Sequence, residues 1–166
     1  MKRTSFKNMD CPAAQALECV GEWWSILIIR DAFRGLSRFD DFQNSLGIAT
    51  GILTRRLKHL TENGLLVRRL YNDKPPRYEY ILTQKGRDFF PILLTLYKWG
   101  NQHLATNGAS LELANLTTGQ VIDPIVVDKQ SSVEITHKNL ILKPGPAASA
   151  ELKARLLALR GKRRTQ

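Results

Sequence analysis

A helix face that carries basic and hydroxyl side chains is the first feature of this sequence that could do chemistry. Between Thr50 and Asn63, Leu53, Leu57 and Leu60 recur at helical spacing and form one apolar stripe. A polar face opposite such a stripe can contact phosphates and base edges of nucleic acid, although taken alone it also fits an ordinary solvated helix. The residues that face away from the stripe are Gly51, Arg55, Lys58 and Glu62, with Thr54 and His59 at its margins.

Arg55 is the candidate for sequence recognition on this face. A guanidinium can donate two hydrogen bonds to a guanine edge, which provides roughly 1–3 kcal/mol of discrimination between bases. Thr54 can contact a base or a phosphate, and Gly51 lets the backbone approach a phosphate closely. The other predicted DNA contacts fix orientation without reporting base identity. They are Ser37, Arg38, Thr50 and Lys58, with Lys74 and Arg77 of a predicted hairpin.

The elements that would position this face are a series of helices, a hairpin and a longer helix. Gly47 permits a tight turn between two of the helices. Two helices joined in this way and followed by a hairpin form a winged helix-turn-helix, whose second helix enters the major groove of DNA. The predicted helices are Pro12 to Val20, Glu22 to Arg34, Ser37 (as N-cap) to Leu46, Thr50 to Asn63, and Thr83 to Leu104 with a bend near Arg87–Pro91; the predicted strands are Leu65 to Tyr71 and Arg77 to Leu82.

Several short motifs occur in this order along the chain. They are Cys11-Pro12, Gly21-Glu22-Trp23-Trp24, Arg38-Phe39-Asp40-Asp41-Phe42, Leu53-Thr54-Arg55-Arg56-Leu57, Asn63-Gly64-Leu65, Pro75-Pro76-Arg77-Tyr78 and Leu82-Thr83-Gln84-Lys85-Gly86. Together they resemble the HxlR-type transcriptional regulators, relatives of the MarR winged-helix group, over roughly Cys11 to Leu104. The resemblance implies a homodimer whose first and last helices pair, and a palindromic operator with half-sites about one helical turn apart.

The resemblance also implies which residues form the dimer and which residue senses a chemical signal. The last helix would supply the dimerisation residues, and the thiol at Cys11 would be a sensor of oxidants or electrophiles, as in some members of the family. A helix N-terminus favours the thiolate of Cys11, whereas the neighbouring Asp10 opposes it, so both a sensing and a silent thiol remain open. The predicted dimerisation residues are Phe89, Leu93, Leu96, Tyr97 and Gly100.

Composition narrows the class of protein. The 166 residues carry a formal charge of +10, which favours a polyanionic partner such as double-stranded DNA, although a role in solubility is the rival explanation. Two cysteines are too few for a disulfide framework, and no apolar run suits a signal peptide or a membrane span, so we expect a cytoplasmic protein without membrane contact. The three histidines lack metal-ligand spacing, and we expect no enzyme activity, metal or cofactor.

The chain divides into three parts by composition, and the predicted fold class is α+β. Residues 1–106 form the winged helix domain, residues 107–146 a small β appendage, and residues 147–166 a basic C-terminal helix and tail. The appendage has predicted strands at Val121–Val127 and Leu140–Leu142, and no internal repeat is evident. It could receive a small-molecule signal or add dimer surface. An alternative function for the whole chain is an architectural module that binds nucleic acid without sequence choice.

Overall fold

A computed structural model describes residues 5–163, with side chains described as far as Leu159. The order of its elements is the one predicted for an α+β winged helix-turn-helix: helices first, then a hairpin, then further helices. The elements are α1 (Pro12–Val20), α2 (Trp23–Phe33), α3 (Phe39–Leu46), α4 (Thr50–Glu62), β1 (Leu66–Asp73), β2 (Pro76–Leu82), α5 (Gln84–Arg87), α6 (Phe90–Leu104) and α7 (Ala150–Arg163).

The core of the winged helix lies between α2, α3, α4 and the start of the hairpin. The stripe on α4 is fully buried there, as its spacing predicted. Among the described residues, the buried apolar side chains all fall between Val20 and Leu93, so residues 105–159 add nothing to this core. The members of the core are Val20, Ile28, Ile29, Phe42, Ile48, Leu53, Leu57, Leu60, Leu65, Leu66 and Leu93.

The turn between α3 and α4 depends on Gly47. Its φ of +59° is left-handed, and its amide donates to the carbonyl of Gln43 at 2.9 Å, which ends α3. A side chain is strained in this conformation, so glycine sets the direction in which the chain enters α4.

Ser37 does not cap α3, and this prediction is wrong. The helix begins one residue later than expected, with Arg38 as the N-cap. The Ser37 carbonyl instead accepts a hydrogen bond from the Tyr80 amide at 2.7 Å, and Arg38 bridges to Glu79. The Ser37 hydroxyl, which would have to accept from the first amides of α3 to cap the helix, instead lies against the wing and donates to the Glu79 carboxylate at 3.4 Å. Ser37 and Arg38 are therefore attached to the wing.

The hairpin is longer than predicted and its tip is shorter. The strands β1 and β2 pair antiparallel from Leu66↔Leu82 to Asp73↔Pro76, so only Lys74 and Pro75 form the tip. The register shifts between Leu70 and Asn72, where an extra residue enters β1.

The helix predicted from Thr83 to Leu104 is divided into α5 and α6. The hydroxyl of Thr83 accepts from the Gly86 amide at 3.1 Å, which confirms Thr83 as the cap. An added Cβ at Gly86 would collide with the Leu65 carbonyl, so only glycine lets α5 lie this close to the hairpin. Pro91 occupies the first turn of α6, where a missing amide hydrogen has no cost, so the predicted bend is a break between two helices.

The appendage contains no regular strand between residues 105 and 149, so the strands predicted at Val121–Val127 and Leu140–Leu142 are wrong. Only two isolated bridges form there, Ala114↔Val121 and Val127↔Glu134. Each bridge closes a tight polar turn, and the pairing does not extend beyond it. Beyond it, α7 starts close to the predicted position and continues to Arg163. The side chains of the predicted basic end, Lys162, Arg163 and Arg164, lie outside the described residues.

Candidate nucleic-acid interface

The predicted recognition face of α4 is exposed. Thr54, Arg55 and Lys58 are open to solvent, while the leucines between them are fully buried. The same leucines that hold α4 against the core therefore fix which side chains point outward. The outward side carries two cations and one hydroxyl, and this arrangement suits a negatively charged groove.

The exposed side chains of α4 make only weak contacts within the chain. The Thr54 hydroxyl donates to the Thr50 carbonyl at 2.8 Å, and the Arg55 Nε donates to the Gly51 carbonyl at 3.3 Å. The Lys58 Nζ lies 3.7 Å from the Glu62 carboxylate, an exposed pair that contributes little to stability. These side chains are free to reorient toward a ligand at small cost.

The N-terminus of α4 has no side-chain cap. Ala49 is at the N-cap position, and the hydroxyl of Thr50 is occupied as an acceptor from Gln43 Nε2 at 2.9 Å. An added Cβ at Gly51 would meet nothing within 4 Å, so packing does not require glycine there. The first-turn amides and the open space at Gly51 together leave room for a phosphate close to the backbone.

Two half-buried side chains fix α4 against the helices behind it. Arg56 forms an ion pair with Glu22 at 3.1 Å, and His59 Nε2 lies 3.0 Å from the Glu18 carbonyl oxygen. The sequence put His59 at the margin of the DNA-facing surface, whereas the structure turns it toward α1. Arg56 was not singled out by sequence reasoning, because a single charged residue on a helix gives no sign of a distant partner.

A buried carboxylate joins α2 to α3. Asp31 is fully buried and accepts hydrogen bonds from Arg30 Nε at 2.8 Å and from the Ser45 hydroxyl at 2.7 Å, while Arg34 approaches to 3.5 Å. Because α3 precedes the turn into α4, these bonds help to set the angle of the recognition helix. Sequence reasoning missed Asp31, since an acidic residue near the end of an apolar helix looks like a surface residue.

The wing presents its basic side chains to solvent. Lys74 at the tip and Arg77 on β2 are exposed, as predicted for phosphate contacts. The guanidinium of Arg38 lies 4.6 Å from the ring centroid of Tyr71 in β1, so the start of α3 and the wing share one surface. Arg68 was missed by the sequence analysis, and its guanidinium stacks 3.4 Å from the Tyr78 ring.

The predicted dimerisation residues on α6 do not share one environment. Leu93 is buried in the core of its own protomer, and Phe89 packs against that core. Tyr97 is half-buried and accepts a hydrogen bond from Arg34 at 3.2 Å, and Gly100 is also half-buried. Of the five, Leu96 is the exposed residue. The large apolar side chains that share its exposed face at helical spacing are Ile92 and Trp99.

Cys11 is half-buried at the N-cap of α1, next to Asp10. Hydrogen bonding to Ser149, by its side chain and then its backbone amide, lowers the pKa of Asp10 below its ordinary 3.8. The second thiol, Cys19, packs partly against the core and donates to Asn63 at 3.4 Å. Neither cysteine belongs to a disulfide. Within residues 5–163 no group of three or more His, Cys, Asp or Glu side chains could hold a metal ion.

A groove of about 320 Å³ lies between α2 and α6. Its walls are mainly apolar, and the polar side chains that reach it include Arg30 and Asn101. No helix in the described part of the chain is both long and apolar enough to cross a bilayer.

This arrangement is shared with known proteins. The model of the HxlR-like helix-turn-helix family matches residues 19–108. An uncharacterized HTH-type transcriptional regulator of Mycobacterium tuberculosis, Rv3095, is 40% identical over 139 residues, which cover 83% of this chain and 88% of that protein. The 139 residues are a longer stretch than 19–108, so the similarity to Rv3095 extends past the winged helix.

Two solved structures are similar over nearly the same extent. PA1607, described as a candidate transcription factor, is 36% identical with a TM-score of 0.77, and the match covers 86% of this chain and all of that one. PA1374 of Pseudomonas aeruginosa, described in the same way, is 45% identical with a TM-score of 0.64, and the match covers 87% and 99% of the two chains.

Proposed function

This chain belongs to the HxlR-like helix-turn-helix family of transcriptional regulators, and we propose that it acts as a homodimer on a palindromic operator in double-stranded DNA. The observation that carries the proposal is the exposed face of α4, where Arg55 and Thr54 stand out from a helix whose leucines are fully buried. A rigid helix of this kind can place a guanidinium against a guanine edge in the major groove.

The remaining contacts orient the protein on the duplex. The uncapped start of α4, Lys58, Arg38 and the two cations of the wing all lie on exposed surface and can bind phosphates. Contacts of this kind supply affinity for any duplex, and Arg55 adds the preference for one sequence.

The homodimer is proposed from the exposed apolar face of α6. Ile92, Leu96 and Trp99 are each about half-exposed on one side of this helix, which soluble proteins seldom leave uncovered in a contiguous patch. A two-fold axis through this face would bring the same residues of two protomers together and place two α4 helices on one side of the duplex. Half-sites would then lie roughly 34–36 Å apart.

The experiment that tests sequence recognition is selection of bound sequences from a random duplex library at near-physiological salt. We expect the native protein to enrich an inverted repeat and Arg55→Ala to lose it, whereas Lys58→Ala, the matched control on the same face, should keep the same repeat with lower affinity. Enrichment of no sequence by the native protein would favour the architectural alternative. An unchanged repeat with Arg55→Ala would exclude its role as the base reader.

The dimer is tested by sedimentation equilibrium of the full chain. Leu96→Asp places a charge on the exposed apolar face and should yield monomers with poor operator affinity, because a dimer links two half-sites at high effective concentration. Gln102→Asp adds the same charge at an exposed polar position of α6 and should remain dimeric. A Leu96→Asp protein that sediments as a dimer would contradict the assigned face.

We also propose that Cys11 is the position at which an oxidant or electrophile acts. The thiol begins α1, and α1 is joined to the recognition helix through the contact of His59 with the Glu18 carbonyl and the bond from Cys19 to Asn63. A change at Cys11 that displaces α1 would therefore disturb the position of α4.

A further inference from the structure

The groove between α2 and α6 has the size of a site for a small molecule. Its volume of about 320 Å³ lies at the lower end of the range in which ligand sites are found, roughly 300–1,000 Å³. Leu96 and Leu104 on its wall are 48% and 67% exposed, so a ligand can reach this wall within one protomer. None of the described residues that line the groove belongs to α3, α4 or the hairpin, and it is therefore separate from the predicted DNA-binding surface.

The walls of the groove are mainly apolar. Ile26 and Leu27 of α2 face Leu93 of α6 across it, and Tyr97 adds an aromatic ring. Apolar walls favour binding roughly in proportion to the apolar area that a ligand removes from water. The body of a ligand that fits this groove is therefore apolar.

Arg30 gives the groove its charge. Among the described residues that line the groove, Arg30 is the charged one, and its side chain is 23% exposed. Its Nε donates to the Asp31 carboxylate at 2.8 Å, and within the described residues its two terminal nitrogens make no hydrogen bond. The bond to Asp31 orients the guanidinium, and the remaining donors are left for a ligand.

The Asp31 carboxylate does not neutralise the arginines around it. It is fully buried, and it is shared between Arg30 and Arg34, whose guanidinium approaches to 3.5 Å. Two guanidiniums against one carboxylate leave the cluster with a net charge of +1. A cation that is partly desolvated beside apolar walls attracts an anion more strongly than it would in water.

A carboxylate on an apolar body meets both requirements. Its two oxygens can accept two parallel hydrogen bonds from one guanidinium, and its body can cover the apolar walls. An inorganic anion would leave those walls exposed to water. A second copy of this chain fits less well, because α6 contains no acidic residue and would leave Arg30 covered without a counter-charge.

We propose that the groove between α2 and α6 binds a small carboxylic acid with an aromatic or branched apolar body. The carboxylate pairs with Arg30, and the body lies against the apolar side chains of the two helices. The acid is a ligand in addition to DNA. Because its site includes neither the outward face of α4 nor the wing, acid binding and operator binding are tested separately, and either can fail alone.

The test is an NMR titration of the ¹⁵N-labelled full chain with benzoate, 3-phenylpropionate and 2-naphthoate, each beside its neutral primary amide. At least one acid should saturate with a dissociation constant of about 1 mM or below, as the size of these molecules allows. Its amide should bind at least about tenfold more weakly, because hydrogen bonds between charged groups are the stronger ones. The largest shifts should include the amides of Gly100 and Asn101, which line the groove.

Two outcomes of this titration would overturn the proposal. An acid and its amide that bind equally would show that Arg30 does not select a carboxylate and that the groove takes neutral apolar molecules. Binding of no acid at all is the result expected if the other copy of the chain fills the groove.

Three variants locate the site. Arg30→Gln removes the charge and should weaken the acid to the level of its amide. Arg34→Gln is the matched control, because it removes the other arginine beside Asp31 without changing a residue that lines the groove, and it should change the affinity less than about threefold. Gly100→Leu leaves the Asp31 cluster intact: an added Cβ at Gly100 meets no atom within 4 Å, so the leucine can occupy the groove and should abolish binding. An unchanged affinity for the acid in Arg30→Gln, or in Gly100→Leu, would overturn the proposal.

Discussion

Replacement of Asp31 by alanine should destabilise the protein by about 2–4 kcal/mol, although Asp31 touches no predicted DNA contact. The carboxylate is fully buried and accepts two short hydrogen bonds, from Arg30 at 2.8 Å and from Ser45 at 2.7 Å. Hydrogen bonds to a charged group contribute roughly 1.5–3 kcal/mol each, and the relief of carboxylate desolvation offsets part of their loss. The two arginine side chains are 23% and 44% exposed, so water can solvate them after the change and limits the penalty.

The assay is urea unfolding at one fixed protomer concentration, because the stability of a dimer depends on concentration. Asp40→Ala is the matched control: it removes an exposed carboxylate from the first turn of α3 and should cost less than about 1 kcal/mol. A double-mutant cycle of Asp31→Ala with Ser45→Ala should give a coupling of about 1–2 kcal/mol, since the two side chains bond directly. A loss of stability no larger than that of Asp40→Ala, or no coupling to Ser45, would refute the conclusion that the Asp31 carboxylate joins α2 to α3.

Two further results are expected. Lys74→Ala at the wing tip should weaken binding to every duplex and reduce the slope of log affinity against log salt by about 0.9 for each protomer. The control Lys129→Ala, which removes an exposed lysine of the appendage, should leave the slope as it is. An unchanged slope for Lys74→Ala would exclude the phosphate contact. Oxidant treatment should lower the operator affinity of the native protein. The Cys11→Ser protein should bind the operator normally under reducing conditions and should not respond to the oxidant. A loss of affinity that persists in Cys11→Ser would show that another group is oxidised.

The winged helix could be predicted from the sequence because its signals are local. The spacing of Leu53, Leu57 and Leu60 identifies α4 and its outward face, and Gly47 and Gly64 mark the ends of helices through their left-handed backbone. Helix periodicity and turn chemistry act over a few residues, so a linear reading captures them. The break at Pro91 follows from the same local rule, although the sequence alone suggested a bend rather than two helices.

The contacts that fix these elements relative to one another escaped the sequence analysis. Arg56 with Glu22, His59 with the Glu18 carbonyl, and Ser37 with Tyr80 each join residues more than thirty positions apart. A charged or hydroxyl residue has many potential partners, and packing selects one of them. The strand predicted at Val121–Val127 failed for a related reason, because apolar residues favour extended chain but the turns at Asn115 and Asp128 allow pairing only at isolated bridges.

The sequence by itself therefore determined the order of the elements, the outward side of α4 and the resemblance to the family that the comparisons confirm. Tertiary structure decided which apolar side chains remain for a partner. Leu93 and Leu96 lie on the same helix and look alike in sequence, yet one is buried in its own protomer and the other is half-exposed. The physical reason is that burial depends on which neighbouring elements reach a side chain, and a one-dimensional pattern does not contain that information.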